Sequence, residues 1–145
     1  MDFMTGLRVS SSGMTAQRQR MNTISSNIAN INTTRTPEGG PYRRKSVQLE
    51  AMPDAKSFAD MMLTNPEKNV NRVQVTDVVS DRGGPLMKYE PDHPEANEDG
   101  FVAYPNINLM VEMADMIQAT RAYDANVSAL NATKDMALKA LEIGR

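Results

Sequence analysis

The chain carries one histidine, His93, set between Asp92 and Pro94, and it has no cysteine. An imidazole beside a carboxylate can move protons for a substrate. Here no nucleophile accompanies it, because thiols are absent and no serine stands in a Gly-x-Ser-x-Gly turn. A lone loop histidine reads more plainly as a hydrogen-bonding turn residue. Glu95, Asn97 and Asp99, followed by Gly100, repeat the oxygen spacing that opens an EF-hand loop. The twelfth position of such a loop falls on Asn106, not on a bidentate glutamate, so a solvated acidic loop is the plainer reading. Gly39-Gly40 and Gly83-Gly84 lack the Lys-Ser/Thr of a phosphate loop and read as turns. Asn32, Asn126 and Asn131 open Asn-x-Ser/Thr sequons, but on stretches patterned as helix and without a secretory signal. Arg43-Arg44-Lys45 reads as the solvated start of a strand rather than a nucleic-acid contact. These residues assemble no catalytic constellation and no metal set. The expectation is a protein that is not an enzyme and uses no cofactor.

The elements that would carry these residues are unusually long. From Asn106 to Ile143 there is no proline or glycine. Positions 109, 113, 116, 120, 123, 127, 130, 134, 137 and 141 alternate three and four apart, and all but Thr120 and Lys134 are apolar. That is a heptad row, the pattern that buries one side of a helix against another. A row of smaller side chains runs beside it through Ala119, Ala122, Ala129, Ala132, Met136 and Ala140, and Ile107, Met110, Ala114 and Ile117 widen the apolar surface. Such a helix would be roughly 57 Å long, more than the diameter of a small domain. One row cannot support it, so partners are expected on several sides, some outside this chain.

Asp2 to Asn32 is a second helix candidate. Leu7, Met14, Met21 and Ile28 recur every seven residues, with Phe3, Ser10, Gln17, Ile24 and Ile31 on the adjoining row. The remainder is Ser, Thr, Asn and Gln, which are mediocre helix formers, so the segment is marginal alone in water. Within an assembly, short polar side chains can bond across tight contacts and set register. A solvated amphipathic helix of a monomer is the alternative.

Between the helices the pattern changes. Two prolines and two glycines within Pro37–Pro41 make a loop. Tyr42 to Ala51 and Arg72 to Val79 alternate like strands, and Leu86 to Tyr89 reads as a third short strand of the same small antiparallel unit. Between the first two, Pro53 to Val70 is irregular, with one or two helical turns expected at Ser57–Leu63. Pro91 to Gly100 is a polar loop, Phe101 to Tyr104 a short apolar run, and Pro105 sits where a helix begins. The fold class is therefore α+β. An N-terminal helical arm (1–34) and a long C-terminal helix (105–145) would form a coiled-coil pair around a β-rich middle domain (35–104).

The net charge of −2 points to neither nucleic acid nor a membrane surface. The charge is uneven: residues 1–50 carry seven basic and three acidic groups, and residues 51–104 carry five and ten. No apolar run reaches membrane-spanning length, so no direct membrane insertion is expected. The first residues lack a basic segment followed by an apolar one, so no cleaved signal peptide is expected.

Two blocks of sequence resemble the flagellar axial proteins, and among them the rod proteins of the flagellar basal body. The first runs through Ser10-Ser11-Ser12-Gly13-Met14, Ile24-Ser25-Ser26-Asn27-Ile28-Ala29-Asn30 and Thr33-Thr34-Arg35-Thr36-Pro37-Glu38-Gly39-Gly40-Pro41-Tyr42-Arg43-Arg44-Lys45. The second runs through Asp92-His93-Pro94, Gly100-Phe101-Val102, Tyr104-Pro105-Asn106-Ile107-Asn108, Glu112-Met113, Asp115-Met116-Ile117 and Arg121-Ala122-Tyr123-Asp124-Ala125-Asn126-Val127. The Asn-Ile-Ala-Asn core belongs to the wider family, and residues 51–85 fall outside the resemblance.

The resemblance implies a structural subunit of the proximal rod, the periplasm-spanning drive shaft of the bacterial flagellum. Its terminal helices would pair, line a helical tube that transmits torque and houses the export channel, and become ordered on assembly. Partners would be further copies of the chain, other rod proteins, the adapter at the rod base and the flagellar type III export apparatus, with export that cleaves nothing. The expected assembly interface is Leu7, Met14, Met21, Ile24, Asn27, Ile28, Asn30 and Ile31 on the first helix. On the second it is Leu109, Met113, Met116, Ile117, Tyr123, Asn126, Val127 and Leu130, with Asn27, Asn30 and Asn126 as inter-helix hydrogen-bonding groups. Thr36, Pro37, Gly39, Gly40, Pro41 and Tyr42 form the family's motif loop. A cytoplasmic coiled-coil adaptor or scaffold would share the heptads but not the two motif blocks.

Overall fold

A computed structural model describes residues 3–53 and 71–143. The first helix, α1, spans Phe3–Ala29, and its last turn continues through the bonds Asn30 N to Ser26 O (3.1 Å) and Thr33 N to Asn30 O (3.1 Å). The second, α2, spans Leu109–Ile143. It does not open at Pro105, as the proline alone suggests. Asn108 is the cap: its Oδ1 accepts from the backbone N–H of Met110 (3.0 Å) and Val111 (3.4 Å), satisfying donors that lack a partner in the first turn.

The two helices lie antiparallel. Asn27 meets Glu112, Gly13 faces Asn126 and Gly6 faces Thr133, so equal steps back along α1 and forward along α2 keep the same alignment. A Cβ placed on Gly13 would stand 3.0 Å from Asn126 Oδ1, so glycine is what permits this approach. The side of α2 turned toward α1 follows Glu112, Met116, Ala119, Tyr123, Asn126, Leu130, Thr133 and Ala137, all buried or half-buried. Half of the apolar row read from the sequence, Met116, Tyr123, Leu130 and Ala137, lies on this side, and the other half gives way to Glu112, Ala119, Asn126 and Thr133. Met116, Tyr123, Val127, Leu130 and Ala137 of that row are half-buried, but Leu109, Met113, Thr120, Lys134 and Leu141 are exposed. Of the small row, Ala119 is fully buried and Ala122 half-buried, while Ala129, Ala132, Met136 and Ala140 are exposed. The reason lies in α1. Its tight row is Gly6, Gly13 and Asn27, one position before Leu7, Met14 and Ile28, and it accepts small or polar counterparts.

Among the described residues, four strands occupy the middle. β1 (Lys45–Pro53) pairs antiparallel with β2 (Asn71–Ser80), from Lys45 opposite Ser80 to Pro53 opposite Asn71, with a bulge between Gln48 and Leu49. The pair rests on α1, where Ser12 Oγ accepts from the N–H of Val73 (3.3 Å). β3 (Leu86–Tyr89) does not extend this unit. It pairs with β4 (Phe101–Tyr104) in a second two-stranded sheet. The Gly83-Gly84-Pro85 turn breaks the path from β2, and the short return through 91–100 favours a local hairpin, closed by Glu90 N to Gly100 O (2.9 Å) and Asn97 N to Phe101 O (3.0 Å). One face of this hairpin turns Val102 into the protein, and the other leaves Met87, Tyr89 and Phe101 exposed. The helical turns expected at 57–63 lie outside the described residues. Among the described residues, no helix is long and apolar enough to cross a membrane.

Candidate functional site

The residues that could do chemistry hold the backbone in place. His93 Nδ1 accepts from the N–H of Glu95 (3.2 Å), and its ring stands edge-on to Tyr104 with centroids 6.4 Å apart. Asn97 Oδ1 accepts from the N–H of Phe101 (2.8 Å), tying the acidic loop into a turn. Among the described residues no three His, Asp or Glu side chains gather in a group able to hold a metal ion.

Among the described residues, the densest polar cluster lies where α1 ends, β1 begins and α2 starts. At its centre is Asn27, 1% exposed, in the last turn of α1. Its Nδ2 donates to Glu112 Oε2 (3.0 Å) and to the carbonyl of Lys45 (2.8 Å). Its Oδ1 accepts from the N–H of Lys45 (2.9 Å) and from the Tyr42 hydroxyl (3.2 Å). All the bonds a carboxamide can make here are therefore made. Glu112, also 1% exposed, receives Arg44 Nε on its other oxygen at 2.6 Å. Arg44 reaches Asp115 Oδ2 at 3.7 Å, and Arg20 donates to Asp115 Oδ1 at 3.3 Å. A cleft of about 310 Å³ opens beside the cluster between Ile24, Val47 and Leu49.

This clasp ties three elements together. A buried carboxylate is costly unless paired and hydrogen-bonded, and here it is both. The arrangement is selective, because sliding α1 by one residue would remove Asn27 from Glu112 and from Lys45 at once. Its chemistry is positional: it fixes the angle and register at which the helices meet the sheet.

The clasp was only half visible in the sequence. Asn27 was expected to bond between helices, and it sits at the centre. Arg44, whose sequence context reads as a solvated strand end, turns inward onto Glu112. Glu112 is marked only by its place in the Glu112-Met113 motif. A further signal was available, a lone acid interrupting the apolar run Leu109-Met110-Val111-Met113.

The other expected contact residues divide by exposure. Ile24 is buried, while Leu7, Met14, Met21, Ile28, Asn30, Ile31, Met116, Tyr123, Asn126, Val127 and Leu130 are half-buried, and Leu109, Met113 and Ile117 are exposed. Asn30 and Asn126 donate to carbonyls of their own helices, Ser26 and Ala122, both at 2.8 Å. In the motif loop, Thr36 and Gly40 close a turn through Thr36 N to Gly40 O (2.9 Å), and Gly39 and Gly40 take φ of +90° and +77°, which L side chains rarely adopt. Pro37 is exposed, Pro41 and Tyr42 are half-buried, and Tyr42 carries the loop into the clasp.

A separate charged trio staples the β3–β4 hairpin. Lys88 Nζ lies 2.5 Å from Glu90 Oε1, and the Tyr104 hydroxyl donates to Glu90 Oε2 at 2.8 Å. The hydrogen bond from Lys88, then that from Tyr104, hold the Glu90 carboxyl below its ordinary pKa. The same bonds to Glu90 raise Lys88 and Tyr104 above theirs.

Comparison with known proteins identifies both ends of the chain. Residues 7–35 match the family described as flagella basal body rod protein, and residues 98–143 match the C-terminal family of flagellar basal body rod FlgEFG proteins. Over the whole chain, the flagellar basal-body rod protein FlgC of Bacillus subtilis (strain 168) is 42% identical, with 96% of each chain covered. FlgC of Borreliella burgdorferi is 38% identical over 99% of this chain and 98% of its own. FlgC of Escherichia coli O157:H7 is 37% identical over 94% of both.

Proposed function

The chain belongs to the family of the flagellar basal-body rod protein FlgC, and from that membership we propose that it builds the rod by packing its two helices against those of neighbouring subunits. It is a structural subunit of the bacterial flagellar basal-body rod, it associates there with other rod proteins, and it is not an enzyme. Within the wall of the tube, α1 and α2 act as a coiled-coil pair, further copies and other rod proteins cover their outer sides, and the β-rich middle faces outward. The array is head-to-tail and non-closing, so it grows as a tube. Close-packed helices deform little, which suits a shaft carrying torque around an export channel. The chain would reach the rod through the flagellar type III apparatus without cleavage and meet the adapter at the rod base.

One observation supports this most directly. α2 has one side occupied by α1, yet Leu109, Met110, Met113 and Ile117 remain 41%, 74%, 48% and 54% exposed on the others. A patch of that kind on a helix marks a protein contact. The test is incorporation into basal bodies of cells lacking their own copy of this chain. Removing residues 1–32, or introducing Met113→Asp together with Ile117→Asp, should abolish incorporation while the chain is still exported. Normal assembly of the Met113→Asp/Ile117→Asp chain would overturn the outer-face contact.

A further inference from the structure

The tripeptide Gly-Gly-Pro occurs twice, at Gly39–Pro41 and Gly83–Pro85, and the fold brings the two copies together as walls of one cleft. The backbone bond from Asp81 N to Arg44 O (2.7 Å) holds the two stretches side by side. The cleft measures about 210 Å³, and Asn106 also lines it, near Gly83. Four glycines leave its walls bare. Arg43 and Arg82 stand exposed at its rim, and no other described residue pairs with either. Asp81, the one carboxylate on the lining, accepts the N–H of Gly83 (3.0 Å).

The β3–β4 hairpin starts at this cleft, beside Asn106, and ends about 10 Å away. Its far end has the complementary character. Tyr89 and Phe101 pack edge to face at 5.3 Å and stay 63% and 39% exposed. Around them Asp92, Glu98 and Asp99 are exposed, with no described cation against them. The hairpin is too short and stiff to bend its own far end back into the cleft at its base. Two complementary surfaces that cannot meet within one molecule can meet between molecules, and because they differ, the contact does not close into a symmetric pair.

We propose that the Gly-Gly-Pro cleft of one copy receives the acidic, aromatic end of the β3–β4 hairpin of a second copy of this chain. An aromatic ring from Tyr89 or Phe101 sits against the bare glycine and proline walls. Asp92, Glu98 and Asp99 meet Arg43 and Arg82 at the rim, where charge complementarity sets orientation more than strength. This inference rests on the rod reading, because only there are copies stacked at high local concentration.

The absence of native cysteine allows a clean test. Gly84 has nothing within 4 Å of a built Cβ and no left-handed φ, so Gly84→Cys leaves the fold intact. A chain carrying Gly84→Cys and Glu98→Cys, oxidised in isolated basal bodies, should form disulfide-linked oligomers of this chain, which neither single variant forms. Normal incorporation of the double variant without such oligomers would overturn the contact and leave the rod reading standing. If the wild-type chain were absent from basal bodies, the rod reading itself would fail. A second arm covers a variant that does not incorporate. Arg43→Glu with Arg82→Glu should lower incorporation about tenfold or more, as expected for like charges brought together. Adding Glu98→Arg and Asp99→Arg to that chain should restore it. No loss, or loss without restoration, overturns the proposal; in the second case the cleft takes a different rod protein.

Discussion

Replacing Asn27 by alanine tests whether the clasp holds the helices to the sheet. The substitution removes four hydrogen bonds but no charge. Glu112 keeps Arg44 on one oxygen and loses its donor on the other, at a site only 1% exposed. A hydrogen bond to a charged group is worth about 1.5–3 kcal/mol, and water has little access to replace this one. The N–H and carbonyl of Lys45 also lose their partners, at the start of β1 where water has partial access, which adds about 1 kcal/mol. The total is about 3 kcal/mol, or roughly a hundredfold in the population of the correctly joined form. The assay is competition. Asn27→Ala and wild-type chains, distinguishable by mass, are expressed equally in one cell, and their ratio is measured in isolated basal bodies. Depletion of the variant by about tenfold to a hundredfold is expected. Asn131→Ala is the control, because that side chain is exposed on α2 and takes no part in the clasp, and it should stay near parity. Parity for Asn27→Ala, or equal depletion of both variants, would refute the assignment of the clasp.

Two further predictions concern packing and charge. Gly13→Ala gains about 1 kcal/mol of helix propensity but overpacks against the Asn126 amide, at a cost of about 1–3 kcal/mol. It should therefore weaken incorporation, and Gly13→Ala with Asn126→Ala should recover it; equal effects with and without Asn126 would deny the close contact. The Glu90 carboxyl is lowered below its ordinary 4.5, so its contribution to the hairpin is full above that value and lost as pH falls through the lowered one. Lys88 and Tyr104 are raised, so their contributions hold below their ordinary values and fade as pH rises through the raised ones. Carbon-detected NMR titration of the purified chain should show the low Glu90 midpoint, and Lys88→Met should move it up; an unmoved midpoint would remove Lys88 as the main cause.

Much of the architecture could be read from local pattern. The two helices, the strands on either side of 54–70 and the loop at Pro37–Pro41 each follow from periodicity or from turn residues, which act over a few positions. The pairing of β3 with β4 could not be read this way, because an apolar run of four residues does not name its neighbour. The clasp was hidden for a different reason. Arg44 and Glu112 lie 68 positions apart, and each has a plain surface explanation by itself: a basic strand end, and an acid in the first turn of a helix. The third partner, Asn27, is marked only by the Asn-Ile-Ala-Asn motif, on a helix already rich in polar residues.

On α2 only half of the apolar row faces α1, and small and polar residues take the place of the rest. A heptad read from apolar residues assumes that the most apolar side faces the nearest partner, which holds when the helix pair is the whole structure. Here the near partner, α1, offers glycine, alanine and asparagine, and it matches a row on α2 containing Glu112, Ala119, Asn126 and Thr133. Small and polar pairs give close approach and a single register but little burial. The apolar groups Leu109, Met110, Met113 and Ile117 are left outside. In a protein that works alone this order would be inverted and unstable. In a subunit whose outer sides are covered by neighbours it separates two tasks: the inner row decides how the chain folds on itself, and the outer row supplies the burial that makes the polymer cohere.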